Sequence, residues 1–162
     1  MKLLSLMRHG DAPYATNSND FERKLSDKGK QESEKASLYL SSQYLIDSII
    51  SSNAPRAIAT AEIIHNKYPN TQIGVDPVIY SKFNKDVLEA IISIKKDCNH
   101  MLVIGHNPTI FQCIIDLLGN NIITCNKIAL LQMNSSKIIT LRINISQPGS
   151  YLYELDDIFE PY

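Results

Sequence analysis

Four short apolar segments, each of strand length, alternate along the chain with four segments of helical pattern. This order implies a mostly parallel sheet with helices on both faces, joined by right-handed crossovers. The segment HMLVIG at 100–105 is the clearest of the four, because its apolar run is typical of a parallel strand buried on both faces. The predicted strands are 2–7, 46–51, 71–75 and 100–105, and the predicted helices start near Ser26 and cover 55–67, 86–95 and 108–118.

The pattern changes after residue 119. Residues 128–133 and 138–145 predict two strands joined by a turn at 134–136, a hairpin that adds strands to the edge of the sheet. The tail from residue 147 contains a Pro-Gly pair, and we expect it to be partly ordered by its aromatic and leucine side chains.

A length of 162 residues favours one domain with a substantial core. We therefore predict a single α/β domain over 1–162, a three-layer sandwich whose core lies roughly in 1–145. A net charge of −1 argues against a partner that is nucleic acid or an anionic membrane. Any anion site must then be local and built from a few basic side chains.

The three cysteines, Cys98, Cys113 and Cys125, have no paired spacing, and reduced thiols are the expected state. No apolar window is long enough for a secretion signal or a membrane span. These features predict a cytoplasmic location.

Basic side chains follow three of the predicted strands. Arg8 and His9 end the first strand, Arg56 follows the second just inside a helix, and His106 follows the fourth. The carboxyl ends of parallel strands lie along one edge of the sheet, so we expect these four side chains to converge. Several cationic groups in one place repel one another and lose hydration, and such a cluster makes sense if it awaits a dianion.

Phosphate is the natural ligand for this cluster. The guanidinium fork of an arginine matches phosphoryl oxygens, and a neutral histidine can attack phosphorus. Helices that begin near Pro55 and Pro108 add the positive ends of their dipoles.

Three stretches in order carry a family resemblance: MRHGDA at 7–12, SSNAPRAIATA at 51–61 and VIGHNP at 103–108. Together they resemble the histidine phosphatase superfamily, the phosphoglycerate mutase-like group with an RHG motif. The short chain, the RHGDA sequence and LSDKG at 25–29 resemble its small phosphohistidine phosphatase branch, called SixA-like.

The resemblance implies that His9 is the nucleophile and forms a transient phosphohistidine. It implies that Arg8, Arg56 and His106 hold the phosphoryl oxygens, and that neither a metal nor another cofactor is required. Arg23 lies near a basic position at the pocket mouth of similar proteins, although a solvated loop arginine is equally expected. The attack also requires an acceptor for the other ring nitrogen of His9, and we expect a backbone carbonyl there.

One departure from the family bears on the substrate. Larger members place a glutamate after the third strand as general acid, and this chain has Val78 near that position. Asp76, Asp86 and Glu89 are within reach in sequence, but none matches. A labile P–N bond needs less acid help than an ester, and the chain lacks the long insertion that caps mutase pockets. The missing glutamate favours phosphohistidine, or another activated phosphoryl donor, over alkyl phosphoesters. The missing insertion favours a phosphorylated protein surface over a small sugar phosphate.

We therefore predict a phosphatase that hydrolyses phosphohistidine on a partner such as a His-containing phosphotransfer domain. One alternative is a phosphatase for a small phosphoester or anhydride, with Asp86 or Glu89 as the acid. Another is a catalytically inactive phosphate-binding module. His65 and His100 have no evident partners in the sequence, and we expect them at the surface or at a strand edge.

Overall fold

The computed structural model describes residues 2–14, 19–81, 83–94, 98–119, 132–147 and 150–162. Within them a six-stranded sheet has the order β3-β2-β4-β1-β5-β6. Its strands are β1 (Lys2–Arg8), β2 (Ser48–Ser51), β3 (Ile73–Val75), β4 (His100–Gly105), β5 (Ile138–Gln147) and β6 (Ser150–Phe159). The helices are α1 (Asp27–Gln43), α2 (Pro55–His65), α3 (Asn84–Ile94) and α4 (Thr109–Leu118), with a 3-10 turn at Pro77–Tyr80.

The central part of the sheet is parallel, as predicted. Strand β4 lies between β1 and β2, pairs in parallel with both, and is buried along its whole length. In the register, Arg8 lies opposite Gly105 and Ser51 opposite Ile104. The three strands therefore end at nearly the same level, and the residues that follow them meet at one edge.

Helices cover both faces of the sheet, and side chains of β4 alternate between the two cores. Met101 and Val103 belong to the core that includes residues of α3 and α4, whereas Leu102 and Ile104 belong to the core that includes residues of α1 and α2. The predicted three-layer α/β sandwich is confirmed. No helix among the described residues is long and apolar enough to cross a membrane.

The C-terminal hairpin differs from the prediction. Strand β5 is present, but its hairpin partner is β6, formed by the tail that we expected to be only partly ordered. Residues 132 and 133 lie outside any strand, and the rest of the expected strand at 128–133 lies outside the described residues. Acidic side chains of β6 have polar partners on β5. Arg142 forms an ion pair with Asp156, and Asn144 donates a hydrogen bond to Glu154. The sequence of either strand alone does not indicate these cross-strand pairs.

The start of α1 holds the segment that follows His9. Ser26 caps the helix, with its Oγ accepting from the Gly29 amide at 3.0 Å. The Ser26 amide donates to the Asp11 carbonyl at 2.9 Å, and the Asp11 amide donates to a carboxylate oxygen of Glu32 at 3.1 Å. A Cβ on Gly29 would stand 2.1 Å from the Asp11 carbonyl oxygen, so this approach requires glycine.

Replacing Gly29 by alanine tests how the loop depends on this approach. We expect Gly29→Ala to lower the free energy of unfolding by roughly 2 kcal/mol or more, because Cβ meets backbone atoms that cannot yield without moving the loop. Urea denaturation measures the change. Glu34→Ala, at an exposed position of the same helix, is the control and should be nearly neutral. Equal stability of the two variants would contradict the requirement for glycine.

Candidate active site

The four residues predicted to converge do meet. Arg8 ends β1, His9 follows it, Arg56 lies in the first turn of α2, and His106 follows β4. They line a cleft of about 410 Å³ at the carboxyl edge of the parallel strands. Arg23 also lines this cleft, so the structure favours the pocket mouth over a solvated loop for it. The other lining residues are Tyr14, Asp20, Tyr80, Ser81, Asn107, Pro108 and Thr109.

The ring of His9 is buried and held in one tautomer. Its Nδ1 lies 2.6 Å from the Gly10 carbonyl oxygen, which can only accept, so the ring proton is on Nδ1. The expected backbone carbonyl is thus present. The lone pair of Nε2 accepts a hydrogen bond from Nε of Arg56 at 3.1 Å. Burial, together with the charges of Arg56 and Arg8, lowers the pKa of His9 to about 3. His9 is therefore neutral, and the unprotonated Nε2 belongs to a side chain that lines the cleft.

The ring of His106 packs beside His9 with the ring centroids 5.0 Å apart. Its Nε2 lies 2.7 Å from Oγ of Ser52, which also accepts from the Ala54 amide at 3.2 Å. The Ser52 hydroxyl is fully buried, and donating its proton to Nε2 satisfies it, which places the ring proton of His106 on Nδ1. Burial, the neighbouring His9 and the charge of Arg56 lower the pKa of His106 to about 3.

Two buried polar nitrogens of the cleft have no hydrogen-bond partner among the described residues. One is Nδ1 of His106 and the other is Nε of Arg8. The Arg8 guanidinium is anchored separately, by an Nη1 hydrogen bond of 3.0 Å to the Met133 carbonyl. Buried donors are normally paired, so these two nitrogens of cleft-lining residues can each still donate to an acceptor.

Sequence reasoning missed an acidic and aromatic part of the cleft. The sequence pattern gives Asp20 no role, yet its carboxylate lies in the cleft between the guanidinium groups of Arg23 and Arg56. Tyr80, at the end of the 3-10 turn, donates to this carboxylate at 2.8 Å and packs edge-on against His106. Tyr80 follows β3, the third parallel strand. The expectation that residues after parallel strands meet at one edge of the sheet could therefore have identified it. For Asp20 the sequence offers only its proximity to Arg23.

The three carboxylates considered as general acids lie elsewhere. Asp76 caps the 3-10 turn by accepting from the Val78 amide at 2.9 Å. Asp86 is exposed and accepts a long hydrogen bond of 3.4 Å from the Ser81 hydroxyl, and Glu89 lies 3.9 Å from Lys85. None of the three lines the cleft, and among the residues that the structure describes Asp20 is the carboxylate that does.

Both of the other histidines have hydrogen-bond partners in the structure. His65 is half-buried, whereas His100, at the start of β4, is buried and not at the surface. His100 is 2% exposed, with Nε2 at 2.8 Å from Oγ of Ser5 and the ring of Tyr44 edge-on against it. Burial lowers its pKa to about 4. His65 donates from Nε2 to the Thr71 carbonyl at 2.6 Å. The start of β4 is covered by the segment after α1, a contact that the sequence of β4 does not indicate.

The family comparison agrees with this geometry. Residues 4–79 match the family model of the histidine phosphatase superfamily, branch 1. The expected resemblance to this superfamily is confirmed over those residues, which contain His9 and Arg56. Among curated proteins none matches the chain.

Solved structures show the histidine phosphatase fold over nearly the whole chain. A protein from Agrobacterium tumefaciens, provisionally named phosphohistidine phosphatase SixA, is 24% identical with a TM-score of 0.81, covering 99% of this chain and 98% of its own. The protein histidine phosphatase SixA complexed with tungstate is 21% identical with a TM-score of 0.80, covering 98% and 97%. A phosphoserine phosphatase from Entamoeba histolytica is 14% identical with a TM-score of 0.72, covering 98% and 96%.

The buried neutral histidines predict how stability depends on pH. The unfolded chain binds protons to its histidines below about pH 6.5, whereas His9, His106 and His100 stay neutral in the folded state until about pH 3 to 4. The free energy of unfolding should therefore fall as the pH is lowered from about 6.5 to about 4. Each histidine contributes about 1.4 kcal/mol per pH unit.

Urea denaturation at a series of pH values measures this slope, and His100→Gln isolates one histidine outside the cleft. The variant should lose about 1.4 kcal/mol per pH unit of the slope between about pH 6 and pH 5. A wild-type stability that is flat over this range, or an unchanged slope in the variant, would show that these rings titrate normally.

Proposed function

We propose that this chain is a phosphatase that hydrolyses phosphohistidine on a partner protein through a covalent intermediate on His9. The observation that carries the proposal is the buried, neutral His9, whose Nε2 accepts a hydrogen bond from Arg56 in a cleft that Arg8 and His106 also line. A neutral histidine among arginine side chains suits the transfer of a phosphoryl group, because the lone pair can attack phosphorus while the guanidinium groups stabilise the negative charge. The match to the family model supports the same assignment.

In the first step the lone pair of His9 Nε2 attacks phosphorus. The bond between phosphorus and the substrate imidazole breaks, and its electron pair leaves with that imidazole, which takes a proton from solvent. Phosphoryl oxygens take hydrogen bonds from Arg8, Arg56 and Nδ1 of His106, which stabilise the spreading negative charge. The Nε–H of Arg56 turns from the His9 lone pair to an oxygen as the new P–N bond forms. The Gly10 carbonyl stabilises the positive charge that develops on the His9 ring.

In the second step water attacks the phosphorus of phosphorylated His9. The P–N bond breaks, its electron pair returns to Nε2, and orthophosphate leaves with the oxygen of that water. Arg23 at the cleft mouth assists by binding the outer oxygens. At the end of the cycle His9 is again neutral and its Nε2 again accepts from Arg56.

The acid–base character of the cleft favours phosphohistidine over alkyl phosphates. An alkoxide leaving group needs a proton donor, whereas the departing imidazole of phosphohistidine is itself a better leaving group. The carboxylate in the cleft belongs to Asp20. Its desolvation raises its pKa, but hydrogen bonds from Arg23 and Tyr80 and the charge of Arg56 outweigh this and lower the pKa overall. Asp20 is therefore ionised and a poor acid.

The identity of the partner follows from the proposed chemistry. The cleft suits a phosphorylated protein surface, such as a His-containing phosphotransfer domain in the cytoplasm. A small phosphorylated substrate is the second candidate, and the likeness to a phosphoserine phosphatase favours including such compounds in any assay. An inactive phosphate-binding module is the third reading, and it would bind orthophosphate without turnover of any donor.

Removing the nucleophile tests the central step. We expect His9→Ala to reduce phosphate release from a phosphorylated His-containing domain by on the order of a thousandfold or more, because no phosphoenzyme can form. Wild-type protein should instead acquire radiolabelled phosphate from the substrate in an acid-labile form. His65→Ala, a histidine outside the cleft, is the matched control and should keep wild-type turnover. Wild-type turnover by His9→Ala would refute the proposed intermediate.

A comparison of leaving groups tests the substrate class. We expect turnover of the phosphorylated His-containing domain to exceed that of an aryl phosphate, and turnover of an alkyl sugar phosphate to be lowest. The reason is that the carboxylate lining the cleft among the described residues, that of Asp20, is ionised and cannot supply the proton that an alkoxide needs. Steady-state kcat/KM for the three substrates decides the order. Highest activity on the sugar phosphate would favour the small-molecule alternative, and turnover of none with orthophosphate binding would favour the inactive module.

A further inference from the structure

The carboxylate of Asp20 occupies donors that a phosphoryl group would otherwise use. Although the side chain is 46% exposed, both of its oxygens are engaged inside the cleft. Its Oδ1 accepts from Tyr14 and Arg23, and its Oδ2 accepts from Arg56 and Tyr80. The four donors are the Tyr14 hydroxyl at 3.1 Å, Arg23 Nη1 at 2.8 Å, Arg56 Nη2 at 3.0 Å and the Tyr80 hydroxyl at 2.8 Å.

Neither arginine needs this carboxylate for its position. Arg56 is anchored through Nε to His9, and through Nη1 to the Asp20 backbone carbonyl at 2.5 Å and the Phe21 carbonyl at 3.3 Å. Arg23 is anchored through Nε and Nη2 to the carbonyl of Ala12. The Asp20 carboxylate thus takes the guanidinium nitrogens that remain after each group has been fixed by other bonds.

Charge also distinguishes the two occupants of these donors. Arg8, Arg23 and Arg56 supply three positive charges to the cleft, and with neutral histidines the carboxylate of Asp20 offsets only one of them. A terminal phosphoryl group brings up to two negative charges and three oxygens, and can therefore satisfy the cluster better than a carboxylate. A monoanion from solution brings no more charge than Asp20 and competes against a tethered group of high effective concentration.

We propose that Asp20 is a specificity-determining residue, an internal carboxylate ligand that dianionic phosphoryl groups displace from Arg23 and Arg56 and that monoanions do not. On displacement the side chain turns to solvent, to which it is already half exposed, while its backbone carbonyl keeps Arg56 in place. The resting cleft is thereby shielded from carboxylates and phosphodiesters. This inference rests on the proposed function in that it takes the cleft to bind phosphoryl groups.

Calorimetric titration with orthophosphate and with dimethyl phosphate, a monoanion, tests this role without any assay of turnover. The titrations use the full chain at about pH 8, where orthophosphate is mainly a dianion. The variants are Asp20→Asn, which keeps the shape of the side chain, and Asp20→Ala, which removes it. Glu22→Gln is the matched control, since it removes a charge from an exposed side chain of the same loop.

Loss of the internal ligand should strengthen binding. We expect Asp20→Asn and Asp20→Ala to bind orthophosphate at least roughly tenfold more tightly than wild type. In these variants orthophosphate no longer has to displace the charge-assisted hydrogen bonds between the Asp20 carboxylate and the two arginines. Dimethyl phosphate should bind these variants measurably and the wild type not at all. Glu22→Gln should behave as wild type.

Unchanged or weaker orthophosphate binding in both Asp20 variants would overturn the inference, since it would mean that the carboxylate positions the arginines. In that case the proposed phosphatase activity would still stand. Failure of orthophosphate to bind wild type and all variants would instead remove the phosphate site itself, and with it both proposals.

Discussion

A hydrogen bond from Nε of Arg56 to Nε2 of His9 joins residues 47 positions apart and is tied to the protonation state of His9 in the cleft. It can form only if His9 is neutral and carries its proton on Nδ1, and the Gly10 carbonyl enforces that tautomer. The Gly10 amide is in turn held by Oγ1 of Thr60, one turn beyond Arg56 on α2. The end of β1 and the start of α2, which together surround His9, are therefore fixed against each other.

The surrounding fold makes this arrangement sustainable. Burying arginines and titratable rings in one place costs free energy, because each charged form loses hydration. Backbone carbonyls that accept from Arg8, Arg23 and Arg56 recover part of this cost. The apolar cores on both faces of the sheet provide the rigid frame that keeps those carbonyls in place. Under the proposed function, the negative charge of a phosphoryl group would offset the positive charge that Asp20 leaves among Arg8, Arg23 and Arg56.

Prediction succeeded where local pattern and topology act together. The continuous apolar run of β4 and its abrupt end at His106 are local signals, and the parallel register then brings Arg8, His9 and Arg56 to the same edge. It failed where partners are distant in sequence and their patterns are weak. Strand β6 is rich in acidic residues, and only its pairing with β5 makes it a strand. Asp20 is an ordinary loop residue until four donors from separate segments surround it.

The amino-acid sequence by itself determined the order of the four parallel strands and the four helices, the edge of the sheet at which the strand ends meet, and the basic residues that reach it. These follow from periodicity and from the geometry of parallel sheets, which act over short stretches of chain. Only the tertiary structure decided the protonation and tautomer of His9 and His106, and the presence of the Asp20 carboxylate between Arg23 and Arg56. Such properties depend on burial and on hydrogen-bond partners a few ångströms away in space, which the linear order of residues does not specify.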